Sequence, residues 1–567
     1  MKQILFSLFL IATTAHAQQQ GSSLSPFNPG ITPYINSISA YNRDKNTVLS
    51  SPYVKNLMIM FRWSDLEPAP GDFKFDETIG RILRDTKGVG KGFSFMIWVG
   101  PNSPEWIYDN GVPLVTVTGG NESLKYPYYF SPKYREFFFR LVTELGNYIK
   151  SLPQDEVDNI LYFQVSEGTT GDTSPYQGAS VPVDPQYKIL PADWMDFRME
   201  VWDKYKEALW RDGQTVIPFL FTDDANTDRE RNWQLQNLNR FGAKKGQFGH
   251  GYNNNNIFRL IAPWLNLQKD ARDNNILIFA RGEWDNILLA QGWVQKNPPL
   301  AFYWSAIAAL FFDINYWNPL VEIIDNSELY ADGLSFYNSH VGSLGDPSKA
   351  TYAFCAMHRM LEVLDVNEFP EATYGQAVRT NIQRYRNIIA DFAARGAMIG
   401  DESTLPANSI ASRRRMDYND IGWSIYEGNF YKYLEQIEPE TTSDAYWNLD
   451  QTIYGRFARG FRQGSDNKMY FKLDSGFFNS ADPQKVSITI TSKDTGTGSW
   501  ELLYFDGAEM VSAGTVTNSG TDKWVKNVFA ISCAVFNGSL EKGADLIIRQ
   551  VGSENTFFHL VDLKREE

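Results

Sequence analysis

The chain has 567 residues, of which 43% are hydrophobic, 21% charged and 15% aromatic; Lys plus Arg number 53 and Asp plus Glu 67, for a formal net charge of −14. This is the make-up of a globular protein long enough for more than one domain, and its acidic balance, with no long Lys/Arg run, argues against nucleic-acid binding. The two cysteines, Cys355 and Cys533, exclude a disulfide framework and a cysteine-rich zinc site and read as free thiols.

The opening MKQILFSLFLIATTAHAQQQ reads as a secretory signal. Lys2 gives the positive start, Ile4 to Ile11 the apolar core and Ala15-His16-Ala17 a small-x-small cleavage site, so residues 1–17 are expected to be removed on export. No later stretch reaches the ~20 apolar residues of a membrane span, and no membrane partner is expected after cleavage. From about residue 30 short apolar runs alternate with helical patterns, as in βα units. The strand-like runs are Ile31–Ser39, Asn56–Trp63, Gly92–Gly100, one ending at Glu167, Thr215–Asp224, a short sixth within RFGAKKGQFGHGYNNNN, Asn274–Asn286 and Ala331–Gly342. The segments between them, such as SPKYREFFFRLVTELGNYIKSL with its Ser cap and first-turn Pro, carry apolar residues at helical spacing. LAFYWSAIAALFFDINYW reads as a further helix. Eight strands separated by helices describe a (β/α)8 barrel.

Residues 345 to 445, including SKATYAFCAMHRMLEVLDV, read as a helical extension, giving a catalytic unit over 28–445. From 450 to 567 the pattern changes to short alternating runs between Gly, Asn, Asp and Ser turns, such as KVSITITS and SWELLYFD, which predicts an antiparallel β-sandwich.

The chemistry of such a barrel lies at the carboxyl ends of its strands, and two apolar strands finish there on an acid: NILYFQVSEG at Glu167 and NNILIFARGEW at Glu283. Two carboxylates across a barrel mouth are what glycoside hydrolysis needs, one protonated to donate to the leaving oxygen and one ionised. Beside them, Arg281 would keep a carboxylate ionised and Trp284 would floor a sugar subsite. Arg62 and Trp63, at the end of the second strand, Trp98, Trp106, Ser166, His250, Tyr252 and His340 complete the candidate substrate contacts. Asp223-Asp224, Trp304 and Trp317 are weaker ones, and Glu402 is a rival acid. His559 reads as a packed strand residue. No His or carboxylate cluster has metal-ligand spacing, and no phosphate-binding loop, dinucleotide fingerprint or Gly-x-Ser-x-Gly elbow occurs, so no metal and no cofactor is expected.

FRWSDLEPAPGDFKFD (residues 61–76) and GPNSPEWIYDNG (residues 100–111) resemble the second- and third-strand motifs of clan A retaining glycoside hydrolases, especially their β-galactosidase-like, agarase-like and carrageenase-like branches. The C-terminal segment is similar to sandwich domains appended to secreted polysaccharide hydrolases. The resemblance implies Glu167 as acid/base, Glu283 as nucleophile, Glu67 as a bracing acid, and a β-linked polysaccharide substrate of algal galactan type. For a sulfated polymer it directs attention to Arg62, Arg281 and Lys244-Lys245. Ser166 stands where the clan carries an asparagine that contacts the sugar 2-hydroxyl, and this departure keeps a second reading open: a non-catalytic glycan-binding protein on a degenerate barrel.

Overall fold

The structure, a computed structural model, describes residues 28–119, 122–169, 174–176, 183–222, 227–245, 257–284, 294, 297–362, 364–378, 381–398, 428–450, 455–478, 480 and 482–567. Its first part is a closed barrel of eight parallel strands. β1 (Gly30–Ile31 and Tyr34–Ile35) is broken by Thr32-Pro33, where a proline withholds a ladder donor. Its first half pairs with β8 (Tyr316–Pro319) and its second with β2 (Asn56–Arg62), which closes the ring. Between them follow β3 (Gly92–Trp98), β4 (Ile160–Gln164), β5 (Phe219–Thr222), β6 (Arg240–Lys244) and β7 (Leu277–Trp284). Each strand is followed by an outer helix: α1 (Ile38–Ser50), α2 (Arg81–Gly88), α3 (Pro132–Ser151), α4 (Pro191–Leu209), α5 (Asp228–Asn237), α6 (Ile257–Asp273), α7 (Pro298–Phe311) and α8 (Ala331–His340).

β2, β3, β4 and β5 are buried on both faces, which is why they read as near-continuous apolar runs. Met58, Met60, Met96, Leu161, Tyr162, Leu220, Phe279 and Tyr316 fill the barrel interior. The residues of opposite parity join the larger core beneath the helices, except Leu161, where the register between β3 and β4 shifts. Gly242 of β6 faces inward, where a Cβ would run into the Phe279 ring.

Two expectations need correction. The run at 331–342 is helix α8, and strand eight is the four residues Tyr316–Pro319, hidden in the tail of an aromatic stretch that reads as helical. α7 stops at Phe311, and Asp313, with φ 57°, turns the chain back into the barrel. The stretch 348–366 is not a helix either, because Tyr352–Ala356 is a strand (β9). Short apolar runs do not distinguish strand from buried helix by periodicity alone.

β9 belongs to the second part, an antiparallel sandwich that therefore draws strands from well before residue 450. One sheet contains β9, β10 (Phe430–Lys432), β12 (Ser443–Tyr446), β13 (Ala458–Phe461), β15 (Gln484–Asp494), β18 (Lys523–Ala534) and β20 (Phe557–Arg565). The other runs in the order β11 (Leu434–Ile437), β14 (Lys468–Leu473), β19 (Leu546–Gln550), β16 (Ser499–Phe505) and β17 (Met510–Thr517). Trp500, Phe471, Ile488, Ile548 and Phe558 pack between them. The sandwich and barrel share apolar core, with Phe354, Phe430 and Leu560 in the same cluster as Trp304. Cys355 and Cys533 are free, in β9 and β18. Among the described residues no helix is long and apolar enough to cross a membrane.

Candidate active site

The upper barrel interior changes from apolar to polar. Gln164, Thr222, Lys244, Arg281, Glu283 and Asn318 share the inward parity of their strands, two residues beyond Tyr162, Leu220, Gly242, Phe279 and Tyr316, or four in the case of Glu283. Arg281 is 1% exposed and organises the group. Its Nε donates to Gln164 Oε1 at 2.7 Å and its Nη1 to Asn318 Oδ1 at 3.0 Å. The Gln164 amide donates to Thr222 Oγ1 at 3.1 Å, and the Asn318 amide to the Thr32 carbonyl in the break of β1 at 2.6 Å. Four strands and the interrupted fifth are thereby tied by one guanidinium.

Glu283 stands above this network. Arg281 Nη1 lies 2.9 Å and Lys244 Nζ 3.5 Å from its Oε1, and its side chain keeps 14% of its surface exposed. Two cations beside a partly exposed carboxylate favour its charged form. Arg62, exposed at the end of β2, is in register with Trp98 of β3. Trp98 is half-buried against the interior cluster, and its indole N–H has no partner among the described residues. Ser166 is also on the inward parity, buried at 2% exposure, with a hydroxyl that has no partner among the described residues.

Glu167 is placed differently. One residue beyond Ser166, it faces the helices, and its Oε1 accepts from Arg198 Nε of α4 at 2.5 Å. Arg198 also pairs with Glu230, the residue whose other oxygen accepts from Thr227 in the capping box that starts α5. All three are almost fully buried. Burial pushes the Glu167 carboxyl above the usual range, Arg198 opposes that shift and Glu230 adds to it.

Several expected contacts lie outside the mouth. Trp63 is fully buried against Tyr134 and Phe138 of α3 and donates to Glu67 Oε2 at 3.0 Å. Trp106 donates to the Glu67 carbonyl at 3.0 Å and packs on Phe137. Glu67 itself is fully buried, accepts from the Gly71 amide and pairs with Arg140, so this group braces the second loop. Trp284 points away from Glu283, donating to Ser305 of α7 at 3.1 Å. Lys245 lies over Trp264 of α6, on the opposite side from Lys244. His340, at the end of α8, contacts Asp562 of the sandwich at 2.9 Å. Trp304 and Trp317 are core residues. His250, Tyr252, Asp223, Asp224 and Glu402 lie outside the described residues. Gln164, Thr222 and Asn318 escaped the sequence reading, although a lone polar residue at inward parity in an apolar strand is the signal that marks each. Among the described residues no group of three His, Cys, Asp or Glu is placed to hold a metal.

No protein-family model matches the chain, and no curated protein does. Among solved structures it is similar to the catalytic domain of a β-amylase from Paenibacillus polymyxa, at 8% identity over 55% of this chain and 98% of that one, TM-score 0.36. It is also similar to GH5_18 from Bifidobacterium longum subsp. longum, at 10% identity over 51% and 69%, TM-score 0.33. A family 29 carbohydrate-binding module from Piromyces equi matches 24% of this chain and 81% of its own at 12% identity, TM-score 0.16. These likenesses are too distant to bear on activity.

Proposed function

We propose that the chain is an exported glycoside hydrolase that works at the barrel mouth, with Glu283 as the nucleophilic carboxylate and a β-linked polysaccharide, an algal galactan first, as substrate. The observation that carries this reading is the setting of Glu283. It stands at the end of strand seven, on the inward parity, between Arg281 and Lys244, with Trp98 and Arg62 at the ends of other strands. Barrels of this kind react substrates at that end. A carboxylate kept charged by fixed cations can attack an anomeric carbon while a second carboxyl gives its proton to the leaving oxygen. Glu167 is the acid this reading assigns, since burial raises its pKa as a proton donor requires.

The mature protein should release shorter products from a panel of algal and plant polysaccharides. Glu283→Gln should cut turnover by about a thousandfold or more and keep substrate binding. Glu167→Gln should lower kcat by ~10²–10⁴ on natural linkages and much less on substrates with an activated leaving group. A fluorinated sugar that labelled a residue other than Glu283 would overturn the nucleophile.

The outward-facing position of Glu167 favours a second reading, a glycan-binding protein that does not cleave. Binding to the panel with no product from any member, in wild type and Glu283→Gln alike, would select it.

A further inference from the structure

A cavity opens at the end of the barrel opposite the mouth. It encloses about 690 Å³ between barrel and sandwich, within the ~300–1,000 Å³ of small-molecule sites. Asp313 lies on its wall, in the turn that feeds β8, so the cavity sits at the amino-terminal end of the barrel strands, opposite the mouth. We propose that it binds a short stretch of carbohydrate chain without cleaving it.

Three features of the walls carry this. First, Phe311 of α7 and Tyr431 of β10, with ring centroids 5.6 Å apart, present aromatic surface from the two parts of the protein. Sugar rings offer C–H faces to such surfaces. Second, the floor is a partly buried ion pair, Lys432 to Asp313 at 2.7 Å, with Gln268 donating to the other Asp313 oxygen at 3.3 Å. The Lys432 ammonium is held charged by Asp313 against its own burial, its pKa raised. Fixed charges in a recess hydrogen-bond hydroxyls strongly without attracting a net charge. Third, Glu435 of β11 and Lys472 of β14 face each other in register at the exposed rim. Among the described residues neither side chain makes an ion pair or a hydrogen bond, although directly opposed strand residues are close enough to pair. An acceptor and a donor held side by side, unspent on one another, match a pair of neighbouring sugar hydroxyls.

The backbone is also constrained here. Asp313, Leu344 and Tyr433 have φ of 57°, 52° and 61°, and Gly345 of 73°. A tyrosine in the left-handed region is an outlier that surrounding structure must hold in place. The Tyr433 hydroxyl is fixed by Ser343 at 2.6 Å.

Identifying the ligand as a piece of the same polymer rests on the function proposed above; the chemistry of the walls calls for a hydroxyl-rich, overall neutral ligand. The test is affinity electrophoresis of the full chain through gels containing agarose, carrageenan, porphyran, xylan or glucomannan. The variants are Glu435→Ala/Lys472→Ala and Tyr431→Ala, each in the wild-type and Glu283→Gln backgrounds. The rim pair is exposed, so its loss should leave folding and hydrolysis of short soluble oligosaccharides unchanged. Retardation by at least one polymer should weaken about tenfold or more in both variants. If wild type cleaves a polymer and both variants are retarded as strongly as wild type, this second site is refuted while the hydrolase reading stands; equal retardation without cleavage refutes both. Rim-dependent binding with no cleavage reverses that outcome, and no binding and no cleavage of any polymer overturns both.

Discussion

Ser166 and Glu167 show how much turns on one position in a strand. Neighbouring side chains point to opposite faces, so a carboxylate one place beyond an inward serine is delivered to α4. The same parity would have sorted the other candidates from the sequence: if Arg281 and Glu283 share a face, Trp284 cannot join them, and if Arg62 faces the mouth, Trp63 does not. What parity could not reveal is that Arg198, far along the chain, takes both Glu167 and Glu230. Removing that arginine leaves two buried carboxylates facing each other. Arg198→Met should cost about 3–5 kcal/mol in denaturant unfolding, more than Glu167→Gln, which leaves the Arg198–Glu230 pair intact. A triple replacement of the group by Met and Gln should recover part of the loss. At the mouth, Arg281→Met takes a cation from Glu283 and unties Gln164 and Asn318, and should lower kcat/KM by about tenfold or more; an unchanged kcat/KM would show that Arg281 does not position Glu283.

At the scale of elements, β2 to β5 were legible because parallel strands buried on both faces are near-continuous apolar runs bounded by turn residues. β8 was not, being four residues long and preceded by an aromatic helix with no polar break. β9 was missed for the converse reason: YAFCAMHRM fits a helical pattern, and its pairing with β20 lies in sequence far beyond any local window. The interior also imposes demands on single positions that pattern does not show. Gly242 gives its space to the Phe279 ring, so Gly242→Ala should destabilise by about 1–3 kcal/mol. Phe279→Leu should cost less in that background than in wild type, and a double-mutant cycle of unfolding free energies measures the coupling. Additive costs would mean the ring is not what the glycine accommodates.

At the scale of the whole molecule, barrel and sandwich meet through buried histidines. His559 of β20 contacts the Phe457 carbonyl at 2.8 Å and the Tyr303 hydroxyl of α7 at 3.2 Å, and His358 packs beside Trp304. Burial holds both far below the usual histidine range, at about 3. The folded protein therefore keeps them neutral, while the unfolded chain takes up a proton on each below about pH 6.5. Stability is full above that pH and falls as pH drops toward 3, by about 2–3 kcal/mol for each histidine at pH 4.5. His559→Gln should flatten this slope by roughly half, as read from urea unfolding across pH 4 to 7; an unchanged slope would place the acid sensitivity elsewhere. Composition and pattern announced the sandwich but not this joint, because a histidine in an alternating strand looks the same in a core as at a seam. The joint is threaded through β20, which pairs with β9, β13 and β15 at once. On the ribosome, β9, β10 and β13 emerge long before that strand exists. β9 and β13 each keep one edge unpaired until residues 557–565 are made and lie between them, so the middle of this sheet depends on the strand that comes last in it along the chain.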